Sequence, residues 1–159
     1  SIAHHQAVSE AFHAALRLLR SRSRTRHELT VALRRKGFHD AVMDEALAKL
    51  DNLGLVNDQL TARDLADSLL RRHPYGQQGL LYRLRERGVD SAVAERVVAE
   101  ATEGADEAVR AQMALRQRLP RWASLPADVR RARAWRFLAQ LGYDSDAIAE
   151  ALEAALADD

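Results

Sequence analysis

Twenty-two of the twenty-four basic residues in this chain are arginine, and they are bunched. A guanidinium is planar, permanently charged and forked, so its chemistry is recognition of phosphate or carboxylate rather than bond making. Between residues 17 and 36, Arg17, Arg20, Arg22, Arg24, Arg26, Arg34, Arg35 and Lys36 face one acid, Glu28. Between 110 and 136, Arg110, Arg116, Arg118, Arg121, Arg130, Arg131, Arg133 and Arg136 face one acid, Asp128. Residues 144–159 invert the pattern, with six acids and no base. The formal net charge of +1 conceals these blocks. Blocks of one sign mark surfaces for polyanions or acidic partners, against the plainer reading of solvated helix faces.

Other reactive side chains do not converge on a recognisable catalytic pattern. The chain has no cysteine, which excludes disulfides, thiolate zinc sites, iron–sulfur clusters and cysteine nucleophiles, and an intracellular setting fits. There is no phosphate loop, no Gly-x-Gly-x-x-Gly, no Gly-x-Ser-x-Gly elbow and no His-Glu-x-x-His. His27-Glu28 lacks a second histidine, and His4-His5 lacks carboxylate or cysteine partners, so that pair reads as a frayed terminus rather than a metal site. Asp144 and Asp146 sit at a turn and helix cap, where the helix dipole accounts for them. The expectation is a binding protein and not an enzyme, with no cofactor and no metal.

The elements that must position the arginines are small. One hundred and fifty-nine residues with eight aromatics and 30% charged residues suit small helical modules better than one large interior. No run of 18 apolar residues occurs and the N-terminal segment lacks a secretory plan, so a cytoplasmic chain without membrane contact is expected. Ser1 in place of Met leaves room for residues upstream.

Aligning the chain on Gly37, Gly88 and Gly142 superposes Leu33, Leu84 and Leu138 upstream and Phe38, Val89 and Tyr143 downstream. Asp40, Ser91 and Ser145 then coincide at an expected cap, and Leu47, Val98 and Leu152 at an apolar position. Each segment reads as helix, left-handed glycine cap, helix. Thr25 and Glu28 form a capping box that starts one of these helices after the arginine run. An amphipathic stretch precedes each pair: Val8, Phe12, Ala15, Leu16 and Leu19; then Ala62, Leu65, Ala66, Leu69 and Leu70; then, more weakly, Val109, Met113 and Leu119. The reading is all-α, with three tandem three-helix repeats over 1–54, 55–104 and 105–159 forming an elongated array.

The run Ala15-Leu16-Arg17-Leu18-Leu19-Arg20, then Arg24-Thr25-Arg26-His27-Glu28-Leu29, then Leu33-Arg34-Arg35-Lys36-Gly37-Phe38 resembles the opening repeat of the RecX family of bacterial recombinase regulators. The second unit is similar to that family's second repeat through Leu53-Gly54-Leu55-Val56-Asn57-Asp58, Gly76 and Leu84-Arg85-Glu86-Arg87-Gly88-Val89. The third is similar through Arg130-Arg131-Ala132-Arg133, Phe137-Leu138 and Gly142-Tyr143. One departure is Thr61 before Ala62, where the family often places an aromatic. The resemblance implies a monomeric, cytoplasmic, three-repeat regulator that binds the RecA filament on DNA and restrains its assembly or activity. Single- or double-stranded DNA would be bound weakly and without sequence preference.

The candidate contact residues are Arg17, Arg20, Arg24, Arg34, Arg35, Lys36, Arg83, Arg85, Arg87, Arg130, Arg131 and Arg133. A sequence-specific DNA reader is the main rival, but readers concentrate base contacts on one recognition helix, whereas these charges spread over three units. A scaffold without a RecA link is the third reading. Trp122 and Trp135 offer rings for base stacking, with Trp135 expected in the core because it lies one residue from the third unit's apolar face.

Overall fold

The computed structural model describes residues 1–157, so Asp158 and Asp159, two of the six C-terminal acids, lie outside the described residues. The order of α-helices is α1 (Ile2–Ser21), α2 (Arg26–Arg35), α3 (Asp40–Asn52), α4 (Asp58–Arg72), α5 (Gln77–Glu86), α6 (Ser91–Ala101), α7 (Glu107–Arg118), α8 (Ala127–Gln140) and α9 (Ser145–Ala155). A 3₁₀ turn, Leu119–Trp122, follows α7, and no strand occurs among the described residues.

Each middle helix ends in the same way because glycine alone readily takes the left-handed conformation that closes it. Gly37, Gly88 and Gly142 have φ of 96°, 83° and 87°. The N–H of Phe38 donates to Leu33 O at 3.3 Å and that of Gly37 to Arg34 O at 3.0 Å. The same two bonds recur from Val89 and Gly88 to Leu84 and Arg85, and from Tyr143 and Gly142 to Leu138 and Ala139. This is the Schellman closure, and the apolar residue after the glycine folds back over the leucine. Leu33, Leu84 and Leu138 have no exposed surface. Truncating any of them to alanine is worth about 2–5 kcal/mol.

The starts of the third helices fall one residue earlier than the sequence pattern implies. Asp90 and Asp144 are the N-caps of α6 and α9, accepting from Ala92 N–H and Ala147 N–H. His39 occupies the cap of α3 without a side-chain bond. Asp40, Ser91 and Ser145 are therefore the first helical residues, where backbone N–H groups are likewise free of intrahelical partners. His4 and His5 lie within α1, which Ser1 caps, and His4 Nε2 is 3.1 Å from Glu45 Oε1, so this end is ordered rather than frayed.

Within each repeat the first and third helices make the broadest contact and the middle helix lies across them. Repeat one has its own interior, centred on Leu29, Leu33, Met43, Leu47 and Leu50, with a smaller cluster of Val8, Ala11, Val42 and Ala46. Repeats two and three share one continuous interior running from Ala62 to Leu152.

The middle helices also meet end to end. The N-terminus of α2 abuts the C-cap of α5, and the N-terminus of α5 abuts the C-cap of α8. Positive helix ends thereby face negative ones. The series stops at α8, which begins a turn earlier in the repeat register: Arg130, aligned with the caps Thr25 and Gly76, lies inside the helix, and Pro126 caps it instead.

Candidate functional site

The candidate basic residues lie on and just after α1, at the junctions between repeats, and on the middle helices α2, α5 and α8. At the first junction Thr25, wholly buried, caps α2 by accepting from Glu28 N–H at 3.1 Å, while Glu28 Oε1 accepts from Thr25 N–H at 3.0 Å. That capping box leaves the Thr25 hydroxyl proton free to reach across to Arg87 O at 2.6 Å. Arg87 returns the contact, its Nε and NH2 donating to Glu28 Oε2 and Oε1 at 2.7 and 3.0 Å. Arg22 adds a longer ion pair to Glu28 at 3.5 Å. Burial alone would raise the Glu28 carboxyl, but the Arg87 hydrogen bonds, the Thr25 N–H and the charges of Arg87 and Arg22 together hold it below the usual carboxylate range.

The second junction uses the same register with different chemistry. Gly76 N–H donates to Leu141 O at 2.8 Å and Gly79 N–H to Gly142 O at 3.3 Å. A Cβ on Gly79 would lie 2.2 Å from Leu141 O, so backbone meets backbone here only because no side chain intervenes. Tyr143 is buried, and its hydroxyl donates to Pro74 O at 2.7 Å. Burial pushes that phenol up to about 12, the Arg110 charge pulling the other way. One further bond is common to both junctions. The first helical residue of the following repeat accepts the first helical N–H of the preceding middle helix: Asp58 from Arg26 N–H at 2.8 Å, and Glu107 from Gln77 N–H at 3.1 Å.

These junctions absorb two of the candidate arginines. Arg87 is held by Glu28, and Arg83 is held across Tyr75, 4.0 Å from the ring centre, with NH1 donating to Gly79 O. Arg24 closes the end of α1 by donating to Leu18 O at 3.1 Å. Arg130 donates to Leu125 O at 2.7 Å.

Arg34 and Arg85 share one repeat position and one local role. Each reaches from the middle helix to the first residue of the third: Arg34 to Asp40 at 3.3 Å and Arg85 to Ser91 at 3.1 Å. Their side chains are 60% and 44% exposed, so these braces contribute little to stability and leave charge at the surface. Arg17, Arg20, Arg35, Lys36, Arg131 and Arg133 are exposed, and none has a carboxylate at ion-pair distance among the described residues. Arg20 also lines a shallow groove of about 330 Å³ with Leu16, Leu19, Ser23, Arg24 and Leu55.

Two sequence expectations are corrected in repeat three. Val109 and Met113 are 49% and 61% exposed, and α7 instead buries Ala111, Ala114 and Leu115. Trp135 is 42% exposed, whereas Trp122 is the buried tryptophan, edge-on to Phe137 at 6.0 Å. The junction residues Gly76, Gly79, Glu107 and Tyr143 escaped sequence reasoning as a set. Their signal was the alignment of Gly76 and Gly79 with Thr25 and Glu28, a match of position without a match of type.

Helices that meet end to end, polar locks between them and guanidinium groups displayed outward define an all-helical repeat protein. A family model described as RecX, first three-helix domain, matches residues 11–50. Regulatory protein RecX of Chlorobium phaeobacteroides is 30% identical over 146 residues, covering 91% of this chain and 92% of the relative. That of Chlorobaculum tepidum is 32% identical over 153 residues, covering 95% and 91%. A crystal structure of RecX from Lactobacillus salivarius shares the fold with a TM-score of 0.81 at 20% identity, covering 96% of this chain and 99% of that one. The chain belongs to the RecX family of regulatory proteins. No helix among the described residues is long and apolar enough to cross a membrane.

Proposed function

We propose that this protein binds the RecA filament on DNA and restrains RecA recombinase activity, acting in the cytoplasm as a monomer without catalytic chemistry of its own. The observation that carries the reading is the match to RecX regulatory proteins along nine-tenths of both chains. The three units at 1–54, 55–104 and 105–159 each contribute a modest contact, so affinity accumulates from linked weak interactions rather than from one deep pocket. Arg34 and Arg85, at one repeat position and both exposed, form the equivalent part of that surface on repeats one and two. Arg17, Arg20, Arg35 and Lys36 extend it on repeat one. Direct DNA contact is weak, tolerant of sequence and steeply salt-dependent, because arginine–phosphate pairing releases counterions.

The test is RecA-dependent strand exchange and single-strand-dependent ATP hydrolysis with increasing amounts of the purified protein. Both are expected to fall, with no nucleotide hydrolysis by the protein alone. Unchanged RecA activity across a wide excess of folded protein would reject the reading.

A further inference from the structure

Trp135 is an expensive side chain to leave in water, and the fold does leave it there. Its neighbour in type, Trp122, is 9% exposed and packs against Phe137, which Arg118 covers at 4.5 Å from the ring centre. The interior of repeat three is thus furnished with its aromatic bulk without Trp135. On α8 the core-facing positions are Ala134 and Leu138, and Trp135 is turned about 100° from the first of them. Arg131, one helical turn before Trp135, shares its stripe. Ala132 and Ala139, both exposed, flank the ring and leave its surroundings open.

The electrostatics of the helix complete the picture. Arg131, Arg133 and Arg136 are exposed and meet no carboxylate at ion-pair distance among the described residues, and Asp128 is the only acid of α8. An exposed indole with Arg131 on its stripe, and with Arg136 and Arg133 continuing the positive charge round the helix, suits a ligand that is both polyanionic and flat. Phosphodiester chains carrying unstacked bases have both properties, and every base offers a π-face irrespective of sequence. A duplex presents phosphates but hides its base faces within the stack. Acidic protein segments supply charge but seldom flat rings at regular spacing.

We infer that the exposed surface of α8 is a single-stranded nucleic acid site, in which Trp135 stacks on an unpaired base, Arg131 on the same stripe holds the adjoining backbone, and Arg136 and Arg133, further round the helix, hold the chain as it crosses α8. The inference deepens the weak DNA contact proposed above. Its test contains no RecA, so the two readings can fail separately.

The chain's two tryptophans make the measurement direct. The full protein is titrated at low salt with a single strand of about twenty thymidines, an abasic strand of equal length, the corresponding duplex and polyglutamate. Tryptophan emission and binding are read together. The thymidine strand is expected to quench Trp135 and to bind about tenfold more tightly than the abasic strand, the order of effect of one stacked base. Trp135→Leu should reduce thymidine-strand affinity to the abasic level and leave a Trp122 emission that the strand does not alter. Trp135→Phe should retain much of the affinity, and circular dichroism verifies that both variants are folded. Equal affinity for thymidine and abasic strands, undiminished binding by Trp135→Leu, or quenching by polyglutamate but not by the thymidine strand would overturn the inference.

Discussion

Thr25 and Gly76 hold the same place in successive repeats, yet they join their neighbours by opposite means. At Thr25 a hydroxyl and a carboxylate reach across to a backbone carbonyl and a guanidinium, and repeat one keeps an interior of its own. At Gly76 and Gly79 the side chains are absent, the two backbones touch, and a single apolar interior continues through both repeats. The first junction is directional and ionic. The second adds contact that requires the exclusion of both water and side chains. One repeat register therefore supports an articulated joint and a fused one, and the choice lies in a few residues at the helix start.

The largest effect is expected at the fused joint. Gly79→Ala drives a Cβ to 2.2 Å from Leu141 O, a backbone atom that cannot turn aside. A loss of about 3 kcal/mol is expected from overpacking at a backbone contact, measured by urea unfolding, with repeats two and three losing cooperativity together. A change below about 1 kcal/mol would show that the contact is slack.

Glu28→Ala is the counterpart at the articulated joint. It removes half the capping box and both Arg87 bonds, for an expected cost of about 1–3 kcal/mol. Hydrogen exchange should rise around the start of α2 and the end of α5 while the interior of repeats two and three keeps its protection. Uniform loss of protection throughout the chain would contradict the separation of the two joints.

The joints should also fail at opposite ends of the pH scale. The Glu28 carboxyl is depressed in the folded protein, so its contribution is complete above the ordinary glutamate value of about 4.3 and is lost as pH falls through the lower folded value. Tyr143 is raised to about 12, so its contribution is complete below about 10 and is lost as pH rises towards 12. Acid should loosen repeat one first, and alkali the pairing of repeats two and three. Residue-resolved hydrogen exchange at both extremes, corrected for intrinsic rates, reads the order directly; the reverse order would refute the assignment.

The same contrast explains what the amino-acid sequence made legible. The glycine caps, the leucines before them and the Thr25–Glu28 box are local features with fixed spacing, so periodicity and capping chemistry located them. The junctions join residues 30 to 69 positions apart, such as Gln77 with Glu107, Glu28 with Arg87 and Pro74 with Tyr143, and no local pattern announces such a pairing. Arg87 consequently reads from sequence as surface charge when it is a structural clasp. In α7 the larger apolar residues Val109 and Met113 drew the hydrophobic face to the wrong side. The true contact uses Ala111 and Ala114 against α9, which buries Ala147 and Ala151, and alanine weighs little in a periodicity although it permits close approach. Trp135 failed as a core residue for a related reason: Trp122, from the 3₁₀ turn before α8, and Phe137, on α8 itself, already fill that interior.

The binding face proposed for repeats one and two is tested most directly by Arg34→Glu combined with Arg85→Glu. Both side chains are exposed and make only surface braces, so the melting temperature should change by a few degrees at most. Binding to RecA–DNA filaments, measured beside the melting temperature on the same preparation, should weaken by about tenfold or more, each lost charge contact adding to the next. Intact filament binding, or binding lost only in proportion to unfolding, would return these two arginines to the role of solvated helix caps.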